Sequence, residues 1–340
     1  MEINTADNKY KVLLVDDEED NLALLYRTLR QDFYIIKTTS PLEALKMLEE
    51  EEVQLIISDH KMDEMDGVEF LKQTYEKYPE CVRLLVTAYS DSKILIDAIN
   101  YGKIYRYIKK PWDPEELLLI VKAAAEYFQL KQDNDRLIYD LKELFSGTVN
   151  AIIEALDAKD SFTLGRSRRV TFLSLKMAQH LKLPSQEIGK LELAGLLHDI
   201  GMIGVPEDIL NKSEALTADE FEIIKKHVNY GVKILEDIKQ LKDIVEIIKY
   251  HHERFDGNGY PHYLSGEDIP LNARIIAIAD SYDSMVSNRS YREGLPVEEA
   301  IRRIEEASGY QFDPFIVETF KAIIWDAINE LREFELQMSE

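Results

Sequence analysis

Cysteine is almost absent from this chain, since Cys81 is its only one in 340 residues. A single thiol excludes an internal disulfide, so the fold must depend on its apolar core, and a reducing, cytoplasmic location is expected. Long apolar runs are missing as well, because no segment approaches the roughly 20 residues that span a bilayer. We therefore expect no membrane-spanning helix.

Positive charge is also in short supply. The chain has 41 Lys and Arg against 64 Asp and Glu, a formal net charge of -23. This balance disfavours binding to a nucleic acid polymer or an anionic membrane, because both require positive charge against phosphates. Hydrophobic residues make up 45% of the chain, which is enough for substantial cores. The length favours two domains over one.

Short apolar segments alternate with amphipathic ones in the first third of the chain. The apolar segments have the composition of strands that are buried on both faces. Strands are expected at 12–15, 34–37, 55–58, 82–86 and 105–108, and later helices at 41–50, 68–78, 92–100 and from 114 onward. Five strand–helix units in series predict a parallel, doubly wound α/β sheet.

Polar residues follow the predicted strands at their carboxyl ends, where such sheets bind ligands. They are Asp16, Asp17, Asp59, Thr87 and Lys110. Three carboxylates at one place repel each other unless a cation neutralises them, and hard oxygen ligands with access to solvent suit Mg²⁺. One carboxylate could then attack a phosphoryl donor while the metal and the lysine stabilise the charge. Each acid alone is explained as an ordinary loop residue, but the ordered set favours a site.

Four segments, LLVDDEED, IISDHKMDEMDGVEFL, LLVTAYSD and YRYIKKPWDPEEL, resemble a response-regulator receiver domain. The resemblance implies a flavodoxin-like fold over residues 1–127. It also implies that Asp59 is the phospho-acceptor and that Asp16, Asp17 and Asp59 hold Mg²⁺. A cognate sensor histidine kinase is the partner that such a domain implies.

The same resemblance assigns the remaining polar residues of this edge. Thr87 and Lys110 would contact the phosphoryl group, and Tyr107 would be the switch aromatic. One position departs from the family, which usually has proline where Asp63 stands. The extra carboxylate adds negative charge near the pocket and removes no ligand.

A helical linker is expected next, because residues 115–156 contain no proline and a single glycine. Two sets of residues recur every seven positions, namely Leu130, Leu137 and Leu144, and between them Asn134, Leu141 and Thr148. This spacing predicts a short parallel coiled coil over 128–147 and hence a homodimer. The alternative is that the helix packs against a neighbouring domain of its own chain.

The rest of the chain, residues 148–340, has the pattern of an all-α bundle, with one continuous helix expected over 218–239. Four histidines and two aspartates stand in or next to its apolar runs: His198, Asp199, His227, His251, His252 and Asp280. Adjacent residues on a helix point apart, but the pair at 251 and 252 stands where a helix breaks into a glycine-rich loop, so both can reach one metal.

This donor set suits iron or manganese, with zinc as a further candidate. A carboxylate such as Asp199 can bridge two ions. Two metals about 3.5–4 Å apart would activate a hydroxide for in-line attack on phosphorus. A lone histidine on an apolar face is usually a core residue, but this placement of six residues favours a metal site.

The segments LLHDIG, HVNYGVKIL and YHHERFDGNGYPHYL resemble an HD-GYP domain. That subfamily of HD phosphohydrolases cleaves cyclic di-GMP to pGpG or GMP. The resemblance implies that the six residues above ligate metal. It further implies that Tyr260 lies near the substrate or a partner diguanylate cyclase domain, and that Arg289 and Arg292 bind substrate phosphate. The expected function is a response regulator whose phosphorylation at Asp59 controls a metal-dependent cyclic di-GMP phosphodiesterase.

Three positions depart from the HD-GYP pattern. The family usually has a metal-binding histidine where Arg166 stands, and a guanidinium donates hydrogen bonds only. It usually has lysine where Met202 stands, and losing that phosphate contact costs on the order of 10²–10³ in rate. Phe162 stands where some members carry a glutamate for a third metal, so at most two ions are expected.

The departures leave two alternatives open. One is a catalytically degenerate adaptor that signals by protein contact. The other is a phosphohydrolase of a different nucleotide.

Overall fold

The computed structural model describes residues 9–88, 103–159, 165–212, 214–288 and 293–338. The helix expected at 92–100 and the side chains of Phe162, Arg289 and Arg292 lie outside the described residues. The chain forms two compact units, which divide between Lys142 and Glu143. The domain boundaries expected at 127 and 147 stay a prediction.

The N-terminal unit is built on a five-stranded parallel sheet. Its strands are β1 Lys11–Val15, β2 Tyr34–Thr38, β3 Leu55–Asp59, β4 Val82–Thr87 and β5 Arg106–Lys109. Their order in the sheet is β2-β1-β3-β4-β5, which confirms the doubly wound, flavodoxin-like prediction. The helices that follow the first three strands are α1 Glu19–Leu29, α2 Pro41–Glu50 and α3 Gly67–Lys77.

Both faces of this sheet are buried at its central strands, β1, β3 and β4, as the apolar composition of these strands predicts. Val12 and Leu14 of β1 belong to one apolar cluster, whereas Leu13 and Val15 belong to the other. This division follows from the alternation of side chains along a strand. The sheet is therefore the core of the unit, and its polar residues are left to the strand ends.

A helix of 46 residues, α4 Pro114–Lys159, follows β5. Four leucines on it, Leu130, Leu137, Leu141 and Leu144, are each 66–68% exposed. Burial of an apolar side chain is favourable, so this stripe of leucines remains available to a partner. None of the helices in the described part of the chain is long and apolar enough to cross a membrane.

The C-terminal unit contains only helices among its described residues, apart from one isolated bridge, and this confirms the all-α prediction. The helices are α5 Arg166–His180, α6 Ser185–Leu197, α7 Glu207–Leu210, α8 Ala218–Lys225, α9 His227–Leu235, α10 Lys242–Tyr250, α11 Leu271–Val286, α12 Val297–Glu306 and α13 Pro314–Met338. A 3-10 segment, Ile200–Gly204, links α6 to α7. One core cluster includes side chains from most of these elements, for example Met177, Ile276 and Phe320.

The continuous helix expected over 218–239 is wrong. The segment forms two helices, α8 and α9, which meet at Lys226. The carbonyl of Ile224 is bonded to the imidazole Nδ1 of His227 at 2.6 Å, so a side chain competes for a backbone acceptor at the junction.

Candidate metal centres

Three carboxylates meet at the carboxyl edge of the parallel sheet. Asp16 and Asp17 follow β1 and Asp59 ends β3, and neighbouring parallel strands bring their carboxyl ends to the same edge. One oxygen of each lies within 4.8 Å of the others. Burial raises the pKa of Asp59, because water is removed from the charged form. These oxygens form a cage of the kind that suits Mg²⁺.

Lys110 completes this acidic site. Its Nζ lies 2.6 Å from Asp59 Oδ1 and 3.0 Å from Asp16 Oδ2. Burial opposes the charge of Lys110, but hydrogen bonds to the two carboxylates outweigh it and raise the pKa of the lysine. The ammonium is therefore held charged beside the predicted phospho-acceptor.

The other predicted residues of this edge differ in their exposure. Thr87 is buried at the end of β4, and Tyr107 on β5 is 43% exposed. The backbone N–H of Asp63 donates to Asp17 Oδ2 at 3.2 Å, so the residue that replaces the family's proline lies next to the acids. The roles of all three stay predictions.

Three histidines of the C-terminal unit share one local arrangement. His198, His227 and His251 each follow the last turn of a helix, namely α6, α8 and α10. Each Nδ1–H donates to the backbone carbonyl three residues earlier, at 2.6–2.7 Å. The last four carbonyls of a helix lack partners within the helix, so these rings cap the helix ends. A carbonyl only accepts, and each ring therefore carries its lone pair on Nε2 when it is neutral.

The capped rings converge with a fourth. The ring centroids of His198 and His251 lie 5.3 Å apart, and those of His227 and His252 lie 5.1 Å apart. The centroids of His251 and His252, which are adjacent in sequence, lie 3.9 Å apart. Because α10 ends at Tyr250, the two consecutive histidines are free of the helical spacing that would separate them. The pair at 251 and 252 therefore reaches a common centre.

Two overlapping groups of side chains are close enough to ligate a metal. The first is Asp199, His227, His251 and His252, and the second is His198, Asp199 and Asp280. Within each group one ligand atom from every residue lies within 4.8 Å of the others. Among the described residues, the Nε2 atoms of His198, His227 and His251 are buried with no aligned hydrogen-bond partner. Buried nitrogen atoms without partners are costly, so these fit the divalent metal that an HD domain uses.

The charges of this centre depend on burial and on the carboxylates. Burial, together with the neighbouring rings of His198 and His227, lowers the pKa of His251 to about 4. Burial also lowers the pKa of His198, but Asp199 and Asp280 outweigh it and raise that pKa to about 10. His251 is thus ready to ligate at neutral pH, whereas His198 must lose a proton first.

Arg166 lies against the carboxylates of the second group. It begins α5 and is 8% exposed. Its Nη2 lies 2.5 Å from Asp280 Oδ1, and its Nε lies 3.5 Å from Asp199 Oδ2. The guanidinium that the sequence placed at the family's histidine position is therefore inside the centre. The guanidinium therefore pairs with two carboxylates that the sequence assigned to the metal.

Met202 lies in the 3-10 segment that follows the His-Asp pair. Its carbonyl, with those of Ile203 and Val205, accepts hydrogen bonds from Lys159 Nζ at 2.5–3.2 Å. The last residue of α4 is thus bonded directly to the segment after the predicted ligands. The side chain of Met202 carries no charge with which to bind a phosphate.

Tyr260 lies at the rim of the imidazole cluster. Its ring stacks on His252 at a centroid distance of 4.9 Å, and Lys225 Nζ lies 5.5 Å from its centroid. Burial raises the pKa of Tyr260, so the phenol stays protonated. Gly259 is required here, since a Cβ would approach Arg254 N at 2.3 Å.

The sequence analysis did not identify three charged residues that support the site, namely Arg169, Asp283 and Glu253. Asp283 accepts from Arg169 Nε at 2.6 Å, next to the Arg166 contacts. Buried Glu253 accepts from the backbone N–H groups of His262 and Leu264 and so shapes the loop that carries Tyr260. The sequence does contain a signal for the Arg169–Asp283 pair. Arg166 and Arg169 are three residues apart, and so are Asp280 and Asp283, a spacing that places each pair on one face of its helix.

Comparisons with known proteins identify the two units of the chain. A model of the response regulator receiver domain matches residues 12–122, and a model of the HD domain matches residues 150–316. A cyclic di-GMP phosphodiesterase of Thermotoga maritima is 33% identical over 91% of this chain and 89% of its own length. The cyclic di-GMP phosphodiesterase response regulator RpfG of Xanthomonas campestris is 29% identical over 92% of this chain and 87% of its own.

A third relative has a different printed substrate. The 3'3'-cGAMP-specific phosphodiesterase 2 of Vibrio cholerae is 36% identical over 64% of this chain and 45% of its own length.

Receiver domains bind Mg²⁺ and take a phosphoryl group from a donor such as a kinase, and HD phosphohydrolases use divalent metal. The chain thus belongs to the family of response regulators that join a receiver domain to a C-terminal HD-GYP domain, the family of the cyclic di-GMP phosphodiesterases.

Proposed function

We propose that phosphorylation of Asp59 controls a metal-dependent hydrolysis of cyclic di-GMP, to pGpG or GMP, in the C-terminal unit. The observation that carries this proposal is the convergence of four imidazoles on one centre, with three buried Nε2 atoms left without aligned partners among the described residues. The names of the two relatives that cover most of the chain support cyclic di-GMP as the substrate.

In the receiver, Asp59 is proposed to take the phosphoryl group from a sensor histidine kinase. Its carboxylate attacks phosphorus and the histidine nitrogen of the kinase leaves. Lys110, 2.6 Å from Asp59 Oδ1, offsets the negative charge, and Asp16 and Asp17 would hold a Mg²⁺ ion that supplies further positive charge. Thr87 is proposed to hydrogen-bond the phosphoryl oxygens, and Tyr107 to report the change at the surface.

In the C-terminal unit, the residues of the two ligand groups would hold one or two ions of iron or manganese, or of zinc. Bound metal would supply Lewis acidity and lower the pKa of a water molecule. The helix-end carbonyls orient the rings of His198, His227 and His251 by accepting from Nδ1. Tyr260 is proposed to contact the nucleotide or a diguanylate cyclase domain, and Arg289 and Arg292 to bind its phosphates.

A degenerate adaptor is the second candidate function. The observation in its favour is Arg166, whose guanidinium occupies the carboxylates that the family gives to a metal. Phosphohydrolysis of another nucleotide is a further alternative, since one relative is named for 3'3'-cGAMP. We also propose that the protein is cytoplasmic and forms a homodimer. A nucleic acid polymer is not among its proposed partners.

The test is turnover by the metal-saturated full chain, with cyclic di-GMP and 3'3'-cGAMP as substrates, with and without acetyl phosphate. We expect hydrolysis of cyclic di-GMP whose rate changes with acetyl phosphate in the wild type and not in Asp59→Asn. His251→Ala should reduce the rate of turnover by at least about 10²-fold. His180→Ala is the matched control, because His180 is exposed, and this variant should keep the wild-type rate. No turnover of either nucleotide by folded, metal-loaded protein would leave the adaptor.

A further inference from the structure

The position of Arg166 divides the metal centre into two unlike halves. Beyond its contacts to Asp280 and Asp199, its Nη2 lies 2.6 Å from Ser284 Oγ and its Nη1 lies 3.6 Å from Asp283 Oδ2. A buried charge is stable only when it is paired and hydrogen-bonded. These contacts meet that condition, so the guanidinium is a built part of the centre.

The two oxygens of Asp199 face different neighbours. Oδ2 lies 3.5 Å from Arg166 Nε and 3.2 Å from His198 Nε2. Oδ1 lies 3.4 Å from His227 Nε2. Oδ2 of this carboxylate is therefore already shared between Arg166 and His198, and Oδ1 faces the His227 imidazole.

The second ligand group is the one that Arg166 occupies. That group contains two carboxylates, Asp199 and Asp280, and the guanidinium contacts both of them. The first group shares only Asp199 with it, through the oxygen that faces away from the guanidinium. Asp199, His227, His251 and His252 still offer three imidazole nitrogens and one carboxylate oxygen, a set that suits iron, manganese or zinc.

We propose that the Arg166 guanidinium takes the place of one divalent cation, so that this centre binds a single metal ion, on Asp199, His227, His251 and His252. The inference rests on the metal centre of the proposed function. Arginine keeps its charge at every accessible pH and holds its donors in a rigid plane. A dication added to the second group would be repelled by that charge, and expelling the side chain would leave buried carboxylates unpaired.

The test is the metal content of the full chain, without any nucleotide. Every protein in the test, the wild type included, carries Asp16→Asn and Asp17→Asn, so that the acidic site of the N-terminal unit contributes no manganese. Each is stripped with a chelator, saturated with Mn²⁺, freed of excess metal and analysed for manganese per chain. We expect one ion in the wild type, with the hyperfine spectrum of an isolated Mn²⁺ ion. Arg166→His should raise the content to two ions with the spectrum of an exchange-coupled pair.

Arg169→His is the matched control, because Arg169 lies one helical turn further along α5 and pairs with Asp283. It should stay at one ion. Two variants that keep Arg166 locate the ion independently, so the test does not depend on the folding of Arg166→His. Asp280→Asn should keep the ion, and His227→Ala should lose it.

Two ions in the wild type, or none, would overturn the inference. So would a folded, saturated Arg166→His that stays at one ion, or an ion that is lost in Asp280→Asn and kept in His227→Ala. None of these readouts involves turnover. A chain with one ion and no hydrolysis would defeat the proposed function and leave this inference standing.

Discussion

At the scale of single residues, the histidines of this centre are placed by helix ends. A carbonyl that the last turn of a helix leaves unpaired accepts from the ring of His198, His227 or His251. The same bond fixes the tautomer and presents Nε2 to the centre. Sequence reasoning found two of these positions as helix ends, but it placed His227 inside a continuous helix, because no glycine or proline marks the break at Lys226.

Opposite pKa shifts predict how the stability of the metal-free protein varies with pH. The pKa of His251 is about 4 in the folded protein and about 6.5 in the unfolded chain. As the pH falls below 6.5, the unfolded chain therefore binds a proton before the folded protein does, and the free energy of unfolding decreases. The pKa of His198 is raised to about 10, so its contribution is present below 6.5 and is lost as the pH rises toward 10. The free energy of unfolding should therefore peak near pH 6.5.

Urea unfolding in the presence of a chelator measures this profile. The chain has two tryptophans, so Trp112→Phe leaves Trp325 to report on the C-terminal unit. In that background His251→Asn should flatten the acid side of the profile and leave the alkaline side unchanged. A wild-type profile that stays level on both sides of pH 6.5 would contradict the assigned shifts.

At the scale of elements, the turn after the His-Asp pair lies directly against a neighbouring helix. A Cβ on Gly201 would meet the carbonyl oxygen of His227 at 1.8 Å and the backbone nitrogen of Gly231 at 2.5 Å. The 3-10 segment and α9 are thus in backbone contact, which sets the spacing between ligands from two elements. The sequence shows the glycine of HDIG, but only the structure shows what it contacts.

Gly201→Ala should therefore lower the free energy of unfolding by more than about 2 kcal/mol, because the backbone has to move. The added methyl group should also reduce Mn²⁺ bound per chain, since the His198–His227 spacing changes with it. Gly189→Ala is the matched control, as a Cβ there meets nothing within 4 Å in the middle of α6. That change should be neutral or stabilise by up to about 1 kcal/mol. Equal losses in both variants would refute the backbone contact.

At the scale of the whole molecule, the predicted phosphorylation site and the candidate metal centre of the C-terminal unit lie in separate compact units of one chain. The long helix α4 contains residues on both sides of the division. Its last residue, Lys159, bonds to carbonyls of the segment after the His-Asp pair. A displacement of this helix would therefore act directly on backbone next to the predicted ligands.

The exposed leucines of α4 predict a homodimer through a parallel coiled coil. Leu130, Leu137 and Leu144 repeat every seven residues and are 66–68% exposed in the single chain. Leu137→Glu combined with Leu144→Glu should convert a dimer into a monomer at micromolar concentration, as measured by sedimentation velocity. Leu119→Glu is the control, because Leu119 is equally exposed on the same helix but lies outside the repeat. A wild-type monomer would show that this stripe serves another purpose.

The sequence by itself determined the two folds, the acids and lysine at the sheet edge, and the six metal-ligand candidates. Each of these depends on local order along the chain: apolar runs that end in acids, histidines at the ends of apolar helices, and motifs whose spacing is fixed. The acids and the lysine can be predicted to meet from their order along the chain, because the carboxyl ends of parallel strands lie at one edge of the sheet.

Only the tertiary structure decided which carboxylates Arg166 contacts and how Asp199 divides its two oxygens. The Arg166 contacts join residues 33 and 114 positions apart, and no local pattern specifies how the elements that carry them pack together. The sequence showed an arginine where its family has a histidine. The fold placed that charge among the buried carboxylates of Asp199 and Asp280, because attraction between opposite charges is strong at close range in a buried site.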